Sequence, residues 1–252
     1  MRKKLLIVVK SYPLPSNKYN ELVCTAAVDE QGAFYRLYPI NYRNMPYDNW
    51  YKKYQWIEVD VERSQNDPRP ESFRPSEDSI KPIGDPISST DNWNARREIV
   101  FGQGAQTMCA LHALGQEIKS LGVVRPAQVV DLTIEPADRE WKSKWTQNLD
   151  QLKLFEAKRR RLEKIPYKFS YHFTCEEPGC KGHKMMIEDW EIGQLYLTER
   201  ERLGGEELAA QSVRRKFFEQ MCAPDRDPYF YVGTILNWGT WVILGVFWPK
   251  RS

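Results

Sequence analysis

The stretch that decides the fold of the C-terminal third of this chain is YHFTCEEPGCKGH, residues 171–183. It contains two of the three histidines and two of the five cysteines, in the order H-x2-C-x4-C-x2-H. Thiolate sulfur and imidazole nitrogen suit zinc, which takes four such ligands in a tetrahedron. Pro178-Gly179 supplies turn residues between the two cysteines. The spacing predicts a zinc site formed by His172, Cys175, Cys180 and His183.

The ligand order differs from the usual C-x2-C…H-x3-H finger and leaves alternatives open. Cys175, Cys180 and His183 form the common set, and the fourth ligand is His172, Cys222 or water. The choice matters because a closed four-ligand site is structural, whereas an open position permits catalysis. The alternative without a metal is a strand that ends in a polar turn and carries free, buried cysteines. Cys24 and Cys109 lie within apolar patterns and are expected in the core.

Length and composition indicate a globular protein. The chain has 252 residues, which suffices for one large domain or two small ones, each with a core. Aromatic residues make up 13% of the chain, and nine of them are tryptophans. This aromatic content is compatible with a core, with base stacking or with a partner interface. The net charge of +3 permits an anionic partner without requiring one. Residues 1–135 carry equal numbers of acidic and basic residues, so the excess positive charge belongs to the rest.

The location of the protein is inferred from its thiols and apolar runs. The N-terminal apolar run, Leu5 to Val9, is too short for a secretory signal and ends at Lys10. No stretch approaches the roughly 20 apolar residues of a membrane-spanning helix. We therefore expect a cytoplasmic protein without a membrane partner, whose thiols serve a metal or the core and not disulfides.

Alternating apolar and polar residues predict four strands joined by short turns, and hence a small antiparallel sheet or barrel. The predicted strands are Leu5–Lys10, Glu21–Val28, Ala33–Ile40 and Gln55–Arg63. On the third strand Phe34, Arg36 and Tyr38 share one face, and Arg43 follows just beyond it. Aromatic rings beside a guanidinium are typical of a surface that stacks unpaired bases. The alternative is a solvated face whose aromatic residues cover the sheet.

Residues 64–94 are rich in Pro, Asp and Ser and are expected to form a long loop over a binding surface. Helices are predicted over 106–121 and 137–164, and the second ends in a basic run. That run contains Lys158, Arg159, Arg160 and Arg161. Its cations either complement the helix dipole or contact phosphates beside the metal stretch.

An acidic group follows the metal stretch: Asp189 and Glu191, with Glu188 beside them. Paired carboxylates hold Mg²⁺ for phosphodiester cleavage, which would make the protein a nuclease. They also orient zinc-bound histidines, or sit in the first turn of a helix where acids are favoured.

These features predict an α+β fold in three parts. A β-rich, barrel-like domain spans 1–135, a basic connecting helix 136–166, and a zinc-stabilised α+β domain 167–252. The predicted function is binding of nucleic acid, DNA or RNA, with a structural zinc. The predicted nucleic-acid contacts are Phe34, Arg36, Tyr38, Arg43, Lys158, Arg159, Arg160, Arg161, Arg214 and Arg215. The alternatives are a Mg²⁺-dependent nuclease that uses Asp189 and Glu191, and a subunit that docks on a protein partner through exposed tryptophans.

Overall fold

The computed structural model describes residues 1–16, 20–102, 104–142, 162–236 and 239–251. Within these ranges the chain forms a mixed α+β fold in which a seven-stranded sheet is followed by two three-stranded sheets. The predicted α+β class is confirmed. In this part of the chain no helix is long and apolar enough to cross a membrane.

The N-terminal sheet closes on itself. Its strands are β1 (Arg2–Lys10), β2 (Leu14–Ser16), β3 (Asn20–Val28), β4 (Phe34–Ile40), β5 (Trp56–Arg63), β6 (Ser72–Pro75) and β7 (Lys81–Ile83). Five of them, in the order β1-β3-β4-β6-β5, form a barrel because β5 pairs back onto β1, while β2 and β7 lie outside the ring. The ring is compatible with the predicted barrel, although the pairing of β4 with β6 is parallel and not antiparallel as predicted. All four predicted N-terminal strands are present, and the expected loop over 64–94 contains β6, which completes the ring.

Strand β1 explains why its apolar run is unbroken. Leu5 and Ile7 belong to the core inside the barrel, whereas Leu6 and Val8 pack in a second core shared with the C-terminal half. A strand covered on both faces has no side that favours polar residues. The run Leu5 to Val9 is therefore fully buried because two cores meet across this strand.

The C-terminal half contains two small sheets. Its strands are β8 (Leu121–Val124), β9 (Gln128–Pro136), β10 (Tyr167–Thr174), β11 (His183–Met186), β12 (Tyr229–Thr234) and β13 (Trp241–Phe247). One sheet has the order β9-β10-β11, and the other β8-β12-β13. Strand β8 lies before the predicted domain boundary at residue 135, and β9 crosses it. Among the described strands, β8 pairs with β12 and β9 pairs with β10, both from the C-terminal third of the chain.

Short helices complete the described fold. They are α1 (Asn94–Val100), α2 (Met108–Leu114), α3 (Trp190–Leu203) and α4 (Glu206–Arg214), and α4 continues as a π-helical turn over Arg215–Gln220. Short 3₁₀ turns occupy Tyr42–Asn44, Tyr47–Asn49, Glu77–Ser79 and Asp91–Trp93.

Two predicted helices differ from the structure or lie partly beyond it. The helix predicted over 106–121 is shorter because α2 stops at Gly115, whose φ of 80° is outside the helical region. Most of the predicted connecting helix, residues 143–161, lies outside the described residues.

Candidate metal centre

Three side chains of the candidate metal centre come from one β-hairpin. Cys175 follows β10, Cys180 lies in the connecting turn and His183 begins β11. Phe173 and His183 are cross-strand partners, and Gly182 adopts a φ of 87°, a left-handed conformation that favours glycine. The hairpin register therefore brings the histidine next to both cysteines.

The fourth side chain, Cys109, comes from α2. Thr107 is the N-cap of this helix, and its hydroxyl accepts a hydrogen bond from the Ala110 N–H at 3.2 Å. The same hydroxyl donates to the carboxylate of Glu177 in the hairpin turn. The cap therefore ties the start of α2 to the hairpin and sets Cys109 beside it.

The four groups have the dimensions of a tetrahedral metal site. His183 Nε2 lies 3.4 Å from the sulfur atoms of Cys109, Cys175 and Cys180 alike. The four donor atoms all lie within 4.8 Å of one another. Zinc–sulfur and zinc–nitrogen bonds of about 2.3 and 2.0 Å at tetrahedral angles place sulfur and nitrogen about 3.5 Å apart. This Cys₃His cluster is therefore able to hold a metal ion.

Backbone N–H groups point at two of the sulfurs. Cys180 Sγ accepts hydrogen bonds from the N–H of Cys175 at 3.2 Å and of Gly182 at 3.4 Å. The Cys175 sulfur accepts one from the Met108 N–H at 3.3 Å. Because these donors favour a negatively charged acceptor, they suit thiolates more than thiols.

The cluster needs positive charge to ionise fully. Burial and the neighbouring sulfurs of Cys180 and Cys175 raise the pKa of Cys109 to about 12. Burial also raises the pKa of Cys175, whereas the backbone donors lower that of Cys180. Burial, followed by the nearby His112, lowers the pKa of His183, which favours the neutral ring that a metal ligand needs. A bound cation would remove the mutual repulsion of three thiolates.

The predicted fourth ligand requires a correction. Side chains alternate along β10, so Tyr171 and Phe173 face the core and His172 faces the opposite side. There His172 Nε2 lies 3.3 Å from Thr133 Oγ1, away from the cluster. Cys222, the other protein candidate, directs its thiol at the Phe217 carbonyl. The fourth side chain of the cluster is Cys109, which was expected in the core. Local spacing could not predict this role, because Cys109 lies 74 residues before His183.

The face predicted to stack bases on β4 is only partly open. Arg36 is 4% exposed and donates to Ser72 Oγ at 3.0 Å and to the Ser120 hydroxyl at 2.8 Å. Phe34 packs against the core between the two halves, and Arg43 donates to Glu21 at 3.0 Å. Tyr38 alone of these four predicted contacts is largely exposed, at 45%. The C-terminal half covers Arg36, which the sequence pattern of one strand could not indicate.

The predicted basic contacts of the C-terminal half have different surroundings. Arg214 forms ion pairs with Asp131 at 2.8 Å and Glu219 at 3.1 Å, so its charge is neutralised within the chain. Arg215 is exposed. The basic run of Lys158, Arg159, Arg160 and Arg161 lies outside the described residues.

The acidic pair Asp189 and Glu191 shares one lysine that sequence reasoning did not single out. Lys53 Nζ lies 2.7 Å from Glu191 Oε2 and 3.7 Å from Asp189 Oδ2. Asp189 is 1% exposed and caps α3, its Oδ1 accepting from the Glu191 N–H at 2.9 Å. Burial raises the pKa of Asp189 to about 7, against the opposing charge of Lys53. A phosphodiester cannot reach a carboxylate as buried as that of Asp189. Of the three interpretations of the acidic pair, helix capping is the one that agrees with the contacts of Asp189.

A cleft beside this acidic pair joins basic and aromatic side chains, and we call it the basic–aromatic cleft. Its volume is about 660 Å³. Its basic residues, among those described, are Lys53, Arg96, Arg202, Arg215 and Lys216. Its aromatic residues are Tyr54, Trp93, Phe217 and Trp248, of which Tyr54 and Phe217 are buried.

Cations lie directly over the rings of this cleft. The Arg96 guanidinium is 4.0 Å from the ring centre of Tyr54 and 4.7 Å from that of Trp93. Lys216 Nζ lies 4.8 Å from the ring centre of Trp248. Cation–π contacts of this kind hold ring and charge side by side.

The geometry defines a mixed α+β protein whose C-terminal half contains a Cys₃His cluster able to hold a metal ion. Residues 104–252 match the family model described as Domain of unknown function (DUF8757), and since this is more than half of the chain, the chain belongs to that family. Residues 1–102, which contain the barrel, match a second model, Domain of unknown function (DUF8758). No curated protein matches the chain.

Two solved structures match over the whole chain at low similarity. One is the tetrameric p202 HIN2, with a TM-score of 0.32, 7% identity, and coverage of 100% of this chain and 94% of that chain. The other is a murine DNA binding protein bound with double-stranded DNA, with a TM-score of 0.31, 7% identity, and coverage of 100% and 96%. Similarity this low carries no argument about the function of this chain.

Proposed function

We propose that this chain is a nucleic-acid-binding protein whose Cys₃His cluster is a structural zinc site. The observation that carries the proposal is the basic–aromatic cleft. Phosphates of DNA and RNA bind lysine and arginine with release of counterions, and unpaired bases stack on aromatic rings. A surface that offers both within one cleft suits a single-stranded or locally unpaired nucleic acid better than a neutral ligand.

The charge balance of the cleft supports an anionic ligand. Glu191 and Glu199 are its acidic side chains among the described residues, and they are outnumbered by the basic ones. Glu191 is held by Lys53, and Glu199 by Arg202 at 2.6 Å and by the Ser212 hydroxyl at 2.7 Å. Of the remaining cations, Arg96 donates to the Ile87 carbonyl and Lys216 to Gln220, but none forms an ion pair with a described residue.

The chemistry of the donor set supports zinc as the metal and a structural role for it. Three cysteines and one histidine form a closed tetrahedral set, which leaves no open position for a substrate. Bound there, zinc would join α2 to the β10–β11 hairpin. The burial of Asp189 argues against the nuclease alternative, and we assign no catalytic role to this residue.

Binding is tested with labelled single-stranded DNA, single-stranded RNA and duplex DNA, by fluorescence anisotropy across about 50 to 200 mM salt. We expect affinity for the single strands to fall steeply with salt. The double variant Arg215→Ala/Lys216→Ala should weaken binding and lower the salt slope by about 1 for each phosphate that these side chains neutralise. Trp248→Ala should weaken binding while leaving the salt slope unchanged, because it removes stacking and no charge.

The matched control is Arg2→Ala. Arg2 is an exposed arginine at the start of the barrel, paired with Glu58 at 3.0 Å and Asp60 at 3.1 Å, and it does not line the cleft. Its replacement should leave both affinity and salt slope unchanged. If none of the three nucleic acids binds at low salt, the proposal is wrong.

A further inference from the structure

A second cavity lies where the barrel meets the β12–β13 hairpin, and we call it the arginine cavity. Its volume is about 530 Å³, within the range of roughly 300–1,000 Å³ typical of small-molecule sites. Strand β13 lines both this cavity and the basic–aromatic cleft. Val242 and Leu244 line the arginine cavity, and Val246 lines the cleft together with Trp248, which directly follows the strand.

The walls of this cavity are held rigidly by arginines. Arg69 donates from Nε and Nη2 to the two carboxylate oxygens of Asp67, at 2.8 and 2.6 Å, and from Nη1 to Thr234. Arg36 is fixed by its bonds to Ser72 and Ser120. Side chains locked by such bonds form a pre-organised site, because they lose little conformational freedom when a ligand enters.

Two further arginines line the cavity and are largely exposed. Arg63 donates through Nη1 to the Ser72 carbonyl at 3.1 Å, which leaves its other nitrogen atoms available. The side chain of Arg74 makes no ion pair or hydrogen bond with any described residue. Tyr38, the exposed member of the predicted stacking face, lines the same cavity. Exposed cations beside an exposed ring match a nucleotide, whose phosphate and base are joined through the sugar.

Glu188 is an acidic residue of the arginine cavity whose side chain has no hydrogen-bond or ion-pair partner among the described residues. Its backbone is fixed on both sides, since its N–H donates to the Ile243 carbonyl at 2.8 Å and its carbonyl accepts from the Tyr12 N–H at 3.2 Å. Glu188 lines this cavity and also the neighbouring cavity beside Tyr12, and its side chain has no hydrogen-bond donor among the described residues. Burial raises the pKa of this carboxyl group. Glu188 is partly buried, and a partly buried carboxylate without a donor from the chain favours a ligand that supplies N–H groups.

We propose that the arginine cavity binds an unpaired guanine, whose N1–H and N2–H donate to the two carboxylate oxygens of Glu188 while Arg63 and Arg74 contact phosphate. Of the four standard bases in their neutral forms, guanine alone presents two adjacent N–H donors on its Watson–Crick edge. Bases removed from a stack are read by hydrogen bonds to that edge. This inference rests on the proposed nucleic-acid binding and adds the base that is recognised.

The first test uses ligands and no protein variant. We expect single-stranded oligonucleotides with one central guanine to bind about tenfold or more tightly than those with adenine, cytosine or thymine there. Inosine at that position lacks the exocyclic amine and should lose most of the preference. Free GMP is titrated alongside AMP to distinguish a nucleotide from a base within a strand.

The second test uses Glu188→Gln, which keeps the shape of the side chain but replaces an acceptor oxygen by a donor. We expect it to abolish the guanine preference while salt-dependent binding of the strand persists. The matched control Glu62→Gln changes an exposed acid of the same cavity and should keep the preference. Circular dichroism and thermal unfolding check that both variants fold.

The outcomes separate the two proposals. Strands that bind equally whatever the base overturn guanine recognition and leave nucleic-acid binding intact. GMP binding that Glu188→Gln abolishes, without any binding of strands, supports the guanine site, overturns nucleic-acid binding and identifies a free nucleotide as the ligand. Failure of GMP and all strands to bind overturns both.

Discussion

Two partly buried polar clusters in this protein solve the same electrostatic problem differently. The Cys₃His cluster gathers three thiols and an imidazole, and none of the four supplies a permanent positive charge. The acid–lysine cluster, made of Lys53, Asp189 and Glu191, contains its own cation. Both lie among packed side chains, where an uncompensated charge is expensive.

The difference shows where each cluster obtains its counter-charge. Burial opposes the charge of Lys53, but the two carboxylates outweigh it and raise the pKa of the lysine above its ordinary value. In the Cys₃His cluster, by contrast, burial and neighbouring sulfurs raise the pKa of Cys109, so a bound cation would favour its ionisation. The first cluster has its counter-charge within the folded chain, whereas the second could receive one from a metal ion.

The largest expected effect separates the clusters by their dependence on metal. Cys175→Ala should abolish the binding of one zinc per chain and cost more than about 4 kcal/mol of stability, because metal-binding free energy is also folding free energy. Zinc content is measured by elemental analysis, and stability by urea unfolding.

The control for this prediction is His172→Gln. It should retain the zinc, since His172 lies beside Thr133 and outside the cluster. Equal loss of zinc from both variants would indicate that His172 is a ligand after all. Purified protein without any bound metal would contradict the assignment of the Cys₃His cluster as a metal site.

A smaller effect is expected when the acid–lysine cluster loses its cation. Lys53→Met should cost about 3–5 kcal/mol, because it leaves Asp189 buried without a partner. Adding Asp189→Asn should recover part of that loss, since asparagine is neutral and still caps a helix. Urea unfolding of both variants measures the effect, and it should not depend on added zinc or chelator.

The control for Lys53→Met is Lys4→Met. Lys4 pairs with Glu30 at 2.8 Å, but both side chains are about half exposed, at 48% and 55%. Its replacement should cost less than about 1 kcal/mol. Equal costs at both lysines would mean that burial does not distinguish the two pairs.

A further expected effect is a pH dependence that belongs to Asp189. Its pKa is raised to about 7 in the folded state, whereas an aspartate in an unfolded chain titrates near about 4. Because the folded state holds the proton more tightly, the stability from this group is complete below about pH 4 and is lost as the pH rises to about 7.

Asp189→Asn should therefore flatten the stability profile between about pH 4 and 7 relative to the parent chain, as measured by urea unfolding at each pH. Titration of the Cys₃His cluster affects parent and variant equally, so the difference between them isolates Asp189. Parallel profiles would show that the proton is not held at this residue.

Local pattern was sufficient for much of the fold. Apolar runs and turn residues predicted the four long strands of the barrel, because these features depend on neighbours in sequence. The short strands β6 and β7 were missed, since three or four residues among prolines carry too little periodicity. The turn between Cys175 and Cys180 and the position of His183 could be predicted for the same local reason.

The remaining site residues depend on contacts between distant segments. Cys109 reaches the hairpin because α2 is tied to the turn through Thr107 and Glu177. Arg36 is buried because Ser120 and the C-terminal half cover the outside of β4. Neither the contact of Cys109 with the hairpin nor that of Arg36 with Ser120 can be predicted from the residue spacing within one segment.

By itself the sequence determined the α+β class, the barrel strands and three members of the Cys₃His cluster, because periodicity and short spacing act over a few neighbouring residues. Only the tertiary structure decided that Cys109 completes the cluster, that Lys53 neutralises Asp189 and Glu191, and that Glu188 faces a cavity without a donor. The physical reason is that charge and metal ligation act through space. A buried group is paired by whichever chain segment packs beside it, however far away that segment lies in the sequence.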